Sequence, residues 1–112
     1  MKSKPLDSFT DYIVNDQLGN LHVTPRKMFG GVGLYADGVF FGIISQDQLY
    51  FKTNDNSCKR YIQAGMGPFQ PNAKQTLKSY YQVPDDVVEH SGELTIWAWQ
   101  AIECAKNRRD GY

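Results

Sequence analysis

The chain of 112 residues lacks any surplus of charge, since twelve lysines and arginines balance twelve aspartates and glutamates. The balance holds in both halves, with five basic and five acidic residues in 1–52 and seven of each in 53–112. Proteins that bind nucleic acid gain much of their affinity by neutralising phosphates, so we expect direct DNA binding to be weak or absent. An alternative DNA contact would use a set of cations with no acidic residue between them: Lys59, Arg60, Lys74 and Lys78.

Cysteines and long apolar runs are also scarce. Cys58 and Cys104 form no CxxC pair, which is typical of reduced cysteines that pack as small apolar residues. No run approaches the roughly 18 apolar residues of a membrane span, and the N-terminus leads directly into charged sequence. We therefore expect a cytoplasmic protein without membrane contact.

Motifs for nucleophilic catalysis and phosphate binding are missing or weak. No nucleophile-elbow signature is present. Gly31-x-Gly33-x-x-Ala36 matches the loose dinucleotide fingerprint, but Asp37-Gly38 and another strand-like run follow it, where that fingerprint needs a helix. We interpret these glycines as a bend or bulge between strands, and we expect no enzymatic activity, catalytic residue or cofactor.

Metal ligands are few, because His22 and His90 are the only imidazoles. A divalent ion could meet a set at helical spacing, namely Asp86, Glu89, His90 and Glu93. Acidic residues near the start of a helix are expected from the helix dipole alone, so we predict no metal site.

What the sequence does contain is a series of short apolar pieces separated by turn residues. We predict strands at 26–29, 33–36, 39–45 and 48–53. Asp37-Gly38 is typical of a type I′ hairpin, and Ser45-Gln46-Asp47 marks the next turn. Connections this short leave no room for a helical crossover, so the four strands should form an antiparallel meander.

Helical patterns lie on either side of the meander. Residues 6–18 place Leu6, Phe9 and Ile13 at helical spacing. A second, short helix is predicted over 54–64, with an asparagine or aspartate as its cap and with Tyr61 and Ile62 buried.

The remainder of the chain completes the fold. Residues 67–72 should form a loop or edge segment, 76–83 a strand, and 85–109 a helix with a break where Ser91 caps a fresh start. The predicted class is therefore α+β, an antiparallel sheet of about five to six strands packed with helices in the order α-β-β-β-β-α-β(β)-α. Residues 1–112 should form a single domain.

The last helix has two faces. One is a continuous apolar stripe that we predict to face the core: Leu94, Trp97, Ala98, Ala101, Ile102 and Ala105. Ile96 and Trp99 point away from it, beside Glu103, and this trio is our candidate interaction surface. The alternative is that the first helix or the loop near Phe69 covers Trp99 within the monomer.

Several blocks of the chain resemble, in order, the N-terminal domain of the bacterial TfoX/Sxy competence regulators. The first block is Met28-Phe29-Gly30-Gly31-Val32-Gly33-Leu34-Tyr35, followed by Asp37-Gly38 and Phe40-Phe41. The later blocks are Leu49-Tyr50-Phe51-Lys52, Pro68-Phe69, Ser79-Tyr80-Tyr81-x-Val83-Pro84 and Leu94-x-x-Trp97-Ala98-x-x-Ala101-x-x-x-Ala105.

The resemblance implies a secretion-chaperone-like α+β fold and a regulatory function. Members of that family promote transcription of DNA-uptake genes together with the cyclic-AMP receptor protein. Two-domain members continue into a helical C-terminal domain, which we do not expect here. The resemblance carries over no catalytic or ligand-binding residue.

Two functional hypotheses follow. The first is a non-enzymatic protein-interaction domain that helps a transcription regulator, with the cyclic-AMP receptor protein or a second copy of the chain as candidate partner. The second is a small-molecule-binding domain or enzyme that uses the sheet face, where Tyr35, Tyr50, Tyr80 and Tyr81 offer aromatic surface with hydroxyl groups.

Overall fold

A computed structural model describes residues 8–28 and 30–107. The protein is an α+β domain whose centre is a six-stranded antiparallel sheet. The strands are β1 (Val23–Met28), β2 (Gly31–Ala36), β3 (Val39–Ser45), β4 (Gln48–Lys52), β5 (Pro68–Asn72) and β6 (Gln75–Gln82). The predicted fold class and the predicted meander of four strands are both confirmed.

The described helices pack against one face of this sheet. They are α1 (Ser8–Asp11), α2 (Cys58–Gln63), α3 (Asp85–Val88) and α4 (Ser91–Asn107). A π-helical segment, Tyr12–Gln17, continues α1, and a 3₁₀ turn, Gly19–Leu21, leads into β1. The main helix, α4, lies across β3 and β4 and also contacts α3 and the π-helical segment.

The strand order across the sheet is β1-β2-β3-β4-β6-β5. After α2 the chain passes to the far edge, and β6 then returns beside β4, so β1 and β5 are the two edge strands. Both carry proline, Pro25 in β1 and Pro68 and Pro71 in β5. Proline is tolerated at an edge because its missing N–H is not needed for a neighbouring strand.

The hairpin turns follow from backbone conformation. Asp37 and Gly38 have φ of 51° and 78°, which is the positive pair that a type I′ turn requires. Gln46 and Asp47 repeat this pattern with φ of 52° and 60°. Both predicted turns are confirmed, and each consists of two residues that connect neighbouring antiparallel strands directly.

The core lies between the sheet and the helices. A bulge in β3, opposite Leu34 and Tyr35, makes Phe41 and Gly42 both face the helices, while Phe40 and Ile43 face the other way. All six residues of the predicted α4 stripe are buried, with exposed fractions of 8% or less. The three alanines in this stripe let α4 lie close to β3.

Several predicted boundaries were wrong. β1 begins at Val23 instead of residue 26, because an edge strand accommodates Pro25. The helix predicted over 54–64 begins only at Cys58, since Asn54 caps a turn before it with its Oδ1 atom, 2.9 Å and 2.8 Å from the backbone nitrogens of Asn56 and Ser57.

Two side chains are also placed differently from the prediction. Ile62 is 54% exposed, because α2 has a single face toward the core and Tyr61 occupies it. Ser91 does begin α4 after a break, but its hydroxyl donates to the carbonyl oxygen of Gln17 at 2.8 Å instead of capping its own helix. Leu6, Phe29 and residues 108–109, which the predictions included, lie outside the described residues.

Candidate functional site

The outward side of α4 carries a pair of large apolar residues. Ile96 is 58% exposed and Trp99 is 51% exposed, with the exposed Glu103 one turn beyond Trp99. We call Ile96, Trp99 and Glu103 the α4 outer face. Neither the first helix nor the segment around Phe69 buries Trp99 in the monomer, so the alternative that we considered from the sequence is wrong.

A groove runs along the α4 outer face toward α2, with a volume of about 520 Å³. We call it the α2–α4 groove. Trp99 and Glu103 line it from α4, together with Gln100. Asn54, Ser57 and Arg60 line it from the other side. The groove therefore combines one large aromatic surface with several polar groups, which is the composition of a protein-binding surface.

Arg60 is held in place on the α2 side. Its guanidinium lies 4.8 Å from the ring centroid of Trp97, and its Nη1 donates to Oε1 of Gln100 at 2.8 Å. Trp97 in turn packs edge-on against Tyr61, with ring centroids 4.8 Å apart. Burial raises the pKa of Tyr61 well above its usual value, so this phenol stays neutral.

The groove has opposite charges on its two sides, Arg60 on α2 and Glu103 on α4. Glu103 lies 3.8 Å from Lys106 one turn away on the same helix, and both side chains are at least half exposed. An exposed pair of this kind contributes little stability, so the Glu103 carboxylate remains available to a partner.

Cys104 is partly exposed in the groove wall, with its sulfur 3.6 Å from Oγ of Ser57. From the sequence we expected Cys104 to pack as a small apolar residue, and the structure buries it only in part.

Sequence reasoning found the residues of α4 but missed those that α2 contributes. The signal for Gln100 was present, because it lies one turn after Ile96 on the same side of the helix. No local pattern linked Arg60 to Gln100, since forty residues separate them and only the packing of α2 against the sheet brings them together.

The candidate metal ligands do not share one helical face. The helix breaks at Glu89 and His90, so Asp86 lies in α3 and Glu93 in α4. The ring Nδ1 of His90 is 2.7 Å from the carbonyl oxygen of Asp86. Within residues 8–28 and 30–107, no group of three His, Cys, Asp or Glu side chains is placed to hold a metal ion.

The glycines of the loose dinucleotide fingerprint lie in β2 and face neighbouring strands. A Cβ on Gly31 would press against the carbonyl oxygen of Ile44, and a Cβ on Gly33 would lie 3.1 Å from the Phe40 ring. These two glycines of β2 allow close packing against neighbouring strands and do not form the bend or bulge that we predicted for them, since the register shift lies at Leu34 and Tyr35. The chain then continues into the Asp37-Gly38 turn. The sharp turn before β2 uses Gly30, whose φ is +70°.

The four tyrosines of the alternative hypothesis divide between the two sheet faces. Tyr35, Tyr50 and Tyr80 lie on the face away from the helices, which we call the outer sheet face. Tyr81 lies on the helical side, with its ring centroid 6.0 Å from that of Tyr61. Burial raises the pKa of Tyr50, whose ring packs against Phe69 at 4.6 Å.

The four cations of the alternative DNA contact come from separate elements. Lys59 and Arg60 belong to α2, Lys74 to the turn between β5 and β6, and Lys78 to β6. Arg60 is already engaged with Trp97 and Gln100.

Comparison with known protein families identifies the class to which this fold and its motifs belong. The model of the TfoX N-terminal domain matches residues 16–105. The chain is therefore a member of the TfoX N-terminal domain family, as its sequence blocks indicated. A search of curated proteins found no match. Of the described helices, none combines the length and apolar character that crossing a membrane demands.

Proposed function

We propose that the domain acts without catalysis, as a protein-interaction module in transcription regulation, and that it binds its partner through the α4 outer face. The observation that carries this proposal is the exposure of Trp99 beside Ile96, next to a groove with polar walls. Tryptophan is enriched at binding hot spots, and exposed apolar residues with polar groups around them are typical of protein-interaction sites.

Membership of the TfoX N-terminal domain family supports the regulatory setting. From the resemblance to competence regulators we infer a partner of the cyclic-AMP receptor protein type, acting on DNA-uptake genes in the cytoplasm of a bacterium. The balanced charge favours a domain that contacts the regulator instead of the DNA itself.

A pull-down with a purified cyclic-AMP receptor protein at physiological salt tests the proposal, carried out with and without promoter DNA. We expect the wild-type domain to be retained, and Trp99→Ala to be retained at least about tenfold less, as for a hot-spot residue. Ile62→Ala is the matched control, because Ile62 is as exposed as Trp99 but lies on α2, outside the groove lining.

Three outcomes would count against this function. The first is no complex under either condition, and the second is equal loss in the Trp99→Ala and Ile62→Ala variants. The third is a Trp99-dependent homodimer in sedimentation experiments without any hetero-complex, since that result would assign the α4 outer face to self-association.

A further inference from the structure

A second concave site lies on the outer sheet face, away from α4. Its volume is about 490 Å³, within the usual range of small-molecule sites. Six apolar side chains line it: Met28, Phe40, Ile43, Phe69, Pro71 and Leu77. We call it the outer-face cavity. It shares no residue with the α2–α4 groove, so it stands apart from the proposed interaction surface.

The edge of the sheet curls to form this cavity. Phe69 of β5 packs against Tyr50 of β4, although β6 lies between these two strands in the sheet. Register shifts between β5 and β6 occur at Phe69, and bulges of this kind bend a strand pair. The β5–β6 hairpin therefore forms one wall of the cavity and the meander forms its floor.

The most distinctive motif of the chain builds the opposite wall. Met28, Gly30 and Gly31 line the cavity. The missing Cβ of Gly33 lets the side chains of Phe40 and Met28 pack over this position. A Cβ there would lie 3.1 Å from the Phe40 ring and 3.2 Å from Cε of Met28. The motif thus shapes the cavity wall on the face away from the helices.

The aromatic wall is braced by further rings. Phe40 lies between Tyr35 and Tyr80, with ring centroids 5.1 Å and 5.5 Å away. Rings held in this way have little freedom to collapse into the cavity, so the site is preorganised for a flat apolar ligand.

The polar side chains among the described lining residues, Asn72 and Gln75, both belong to the β5–β6 hairpin. Asn72 Nδ2 donates to Oε1 of Gln75 at 3.1 Å, and Oδ1 of Asn72 accepts from the backbone nitrogen of Lys74 at 2.8 Å. These bonds orient the Gln75 amide and leave its Nε2 without a partner among the described residues. None of the described lining residues is charged. A ligand would meet a hydrogen-bond donor and no ionic group.

We propose that the outer-face cavity binds a small, uncharged aromatic molecule that carries a hydrogen-bond acceptor. The depth of the apolar lining favours a small molecule over a protein partner. Ile43, at the floor, is only 4% exposed. Met28, Phe40 and Phe69 are partly buried, and Leu77 is 37% exposed. A protein surface would meet the rim, whereas a flat ring fits between the walls.

Coumarin is a suitable probe, because it is flat, uncharged and carries a carbonyl acceptor. We would titrate it into the isotopically labelled domain and follow amide chemical shifts. The expected result is saturable shifts at Gly30, Gly31 and the Gln75 side chain, with α4 unaffected. Coumarin-3-carboxylate should bind at least about tenfold more weakly, because its charge would enter a site without a counter-charge.

Two variants and one control variant test the site itself. Leu77→Trp should abolish binding by filling the cavity, while Ile62→Trp, an equivalent change at an exposed position on α2, should not alter it. Gln75→Ala should weaken coumarin binding about fivefold through loss of one hydrogen bond. Because Gln75 is exposed, this substitution should leave the folded structure intact. Thermal melting of each variant verifies folding.

Absence of shifts at millimolar coumarin would overturn the proposal, as would unchanged binding by both Leu77→Trp and Gln75→Ala. If the domain dimerises and Leu77→Trp abolishes the dimer, the outer sheet face is instead the contact with a second copy of the chain, and the proposal fails. Trp99→Ala should leave coumarin binding intact, so failure of the α4 interaction and failure of this site are distinguishable.

Discussion

The two tryptophans of α4 offer a matched test of the architecture, because they are two residues apart and differ in environment. Trp97 is 8% exposed and packs against Tyr61 and Arg60, whereas Trp99 is 51% exposed. Replacing a buried tryptophan by alanine leaves a cavity and destabilises a protein by about 3–5 kcal/mol. The half-exposed Trp99 leaves no enclosed cavity, so Trp99→Ala should cost about 1 kcal/mol or less.

Thermal unfolding followed by circular dichroism measures the difference. At about 4 °C per kcal/mol for a domain of this size, Trp97→Ala should lower Tm by roughly 12–20 °C and Trp99→Ala by about 4 °C at most. A fall in Tm for Trp99→Ala as large as that for Trp97→Ala would refute the reasoning. Trp99 would then belong to the core, and the proposed interaction surface would lose its main residue.

Three further predictions concern the pKa of a buried phenol, an asparagine that caps the turn before α2, and a strand glycine. Burial raises the pKa of Tyr61, so above about pH 10 the unfolded chain loses this proton first. The free energy of unfolding should then fall by up to about 1.4 kcal/mol per pH unit. Urea unfolding between pH 9 and pH 11 should show a smaller fall for Tyr61→Phe than for the unsubstituted chain. Asn54→Ala removes the acceptor of two backbone bonds and should cost about 0.5–2 kcal/mol in urea unfolding. Gly31→Ala should cost about 1–3 kcal/mol or more, because the new methyl group meets the Ile44 carbonyl oxygen.

Each of these variants has a control. For Tyr61→Phe the control is the unsubstituted chain, whose free energy of unfolding should fall more steeply above about pH 10. Asn56→Ala should be milder than Asn54→Ala, since the Asn56 side chain takes no part in the two capping bonds. Gly92→Ala, at a position with open space around it, should be neutral or stabilising. Equal effects within any of these pairs would contradict the corresponding contact.

The fold was predictable where one local interaction dominates. The Asp37-Gly38 turn and the six-residue stripe of α4 depend on backbone conformation and helical periodicity, and both were predicted correctly from the sequence. The failures occur where neighbouring elements compete for the same contact. Tyr61 and Ile62 are both candidates for burial, and the side of α2 that faces the core, where Trp97 and Tyr81 lie, belongs to Tyr61.

The candidate site was predictable in part for the same reason. Helical spacing predicts the outward direction of Ile96 and Trp99, but the groove also needs Arg60 and Asn54 from a distant segment. The outer-face cavity could not be predicted from the sequence. It depends on the bend of β5 that brings Phe69 onto Tyr50, and no periodicity in the sequence reports a bend of that kind.

The prolines in both edge strands restrict how any protein can bind this domain. Many domains capture extended peptides by adding a strand to an open sheet edge, where backbone hydrogen bonds supply affinity with little regard to sequence. Pro25 on one side and Pro68 and Pro71 on the other interrupt the ladder that such a peptide would need. Under the proposed function, recognition then comes from side chains on α4 and its surroundings, so partner choice should respond to single substitutions and a scrambled peptide should not compete.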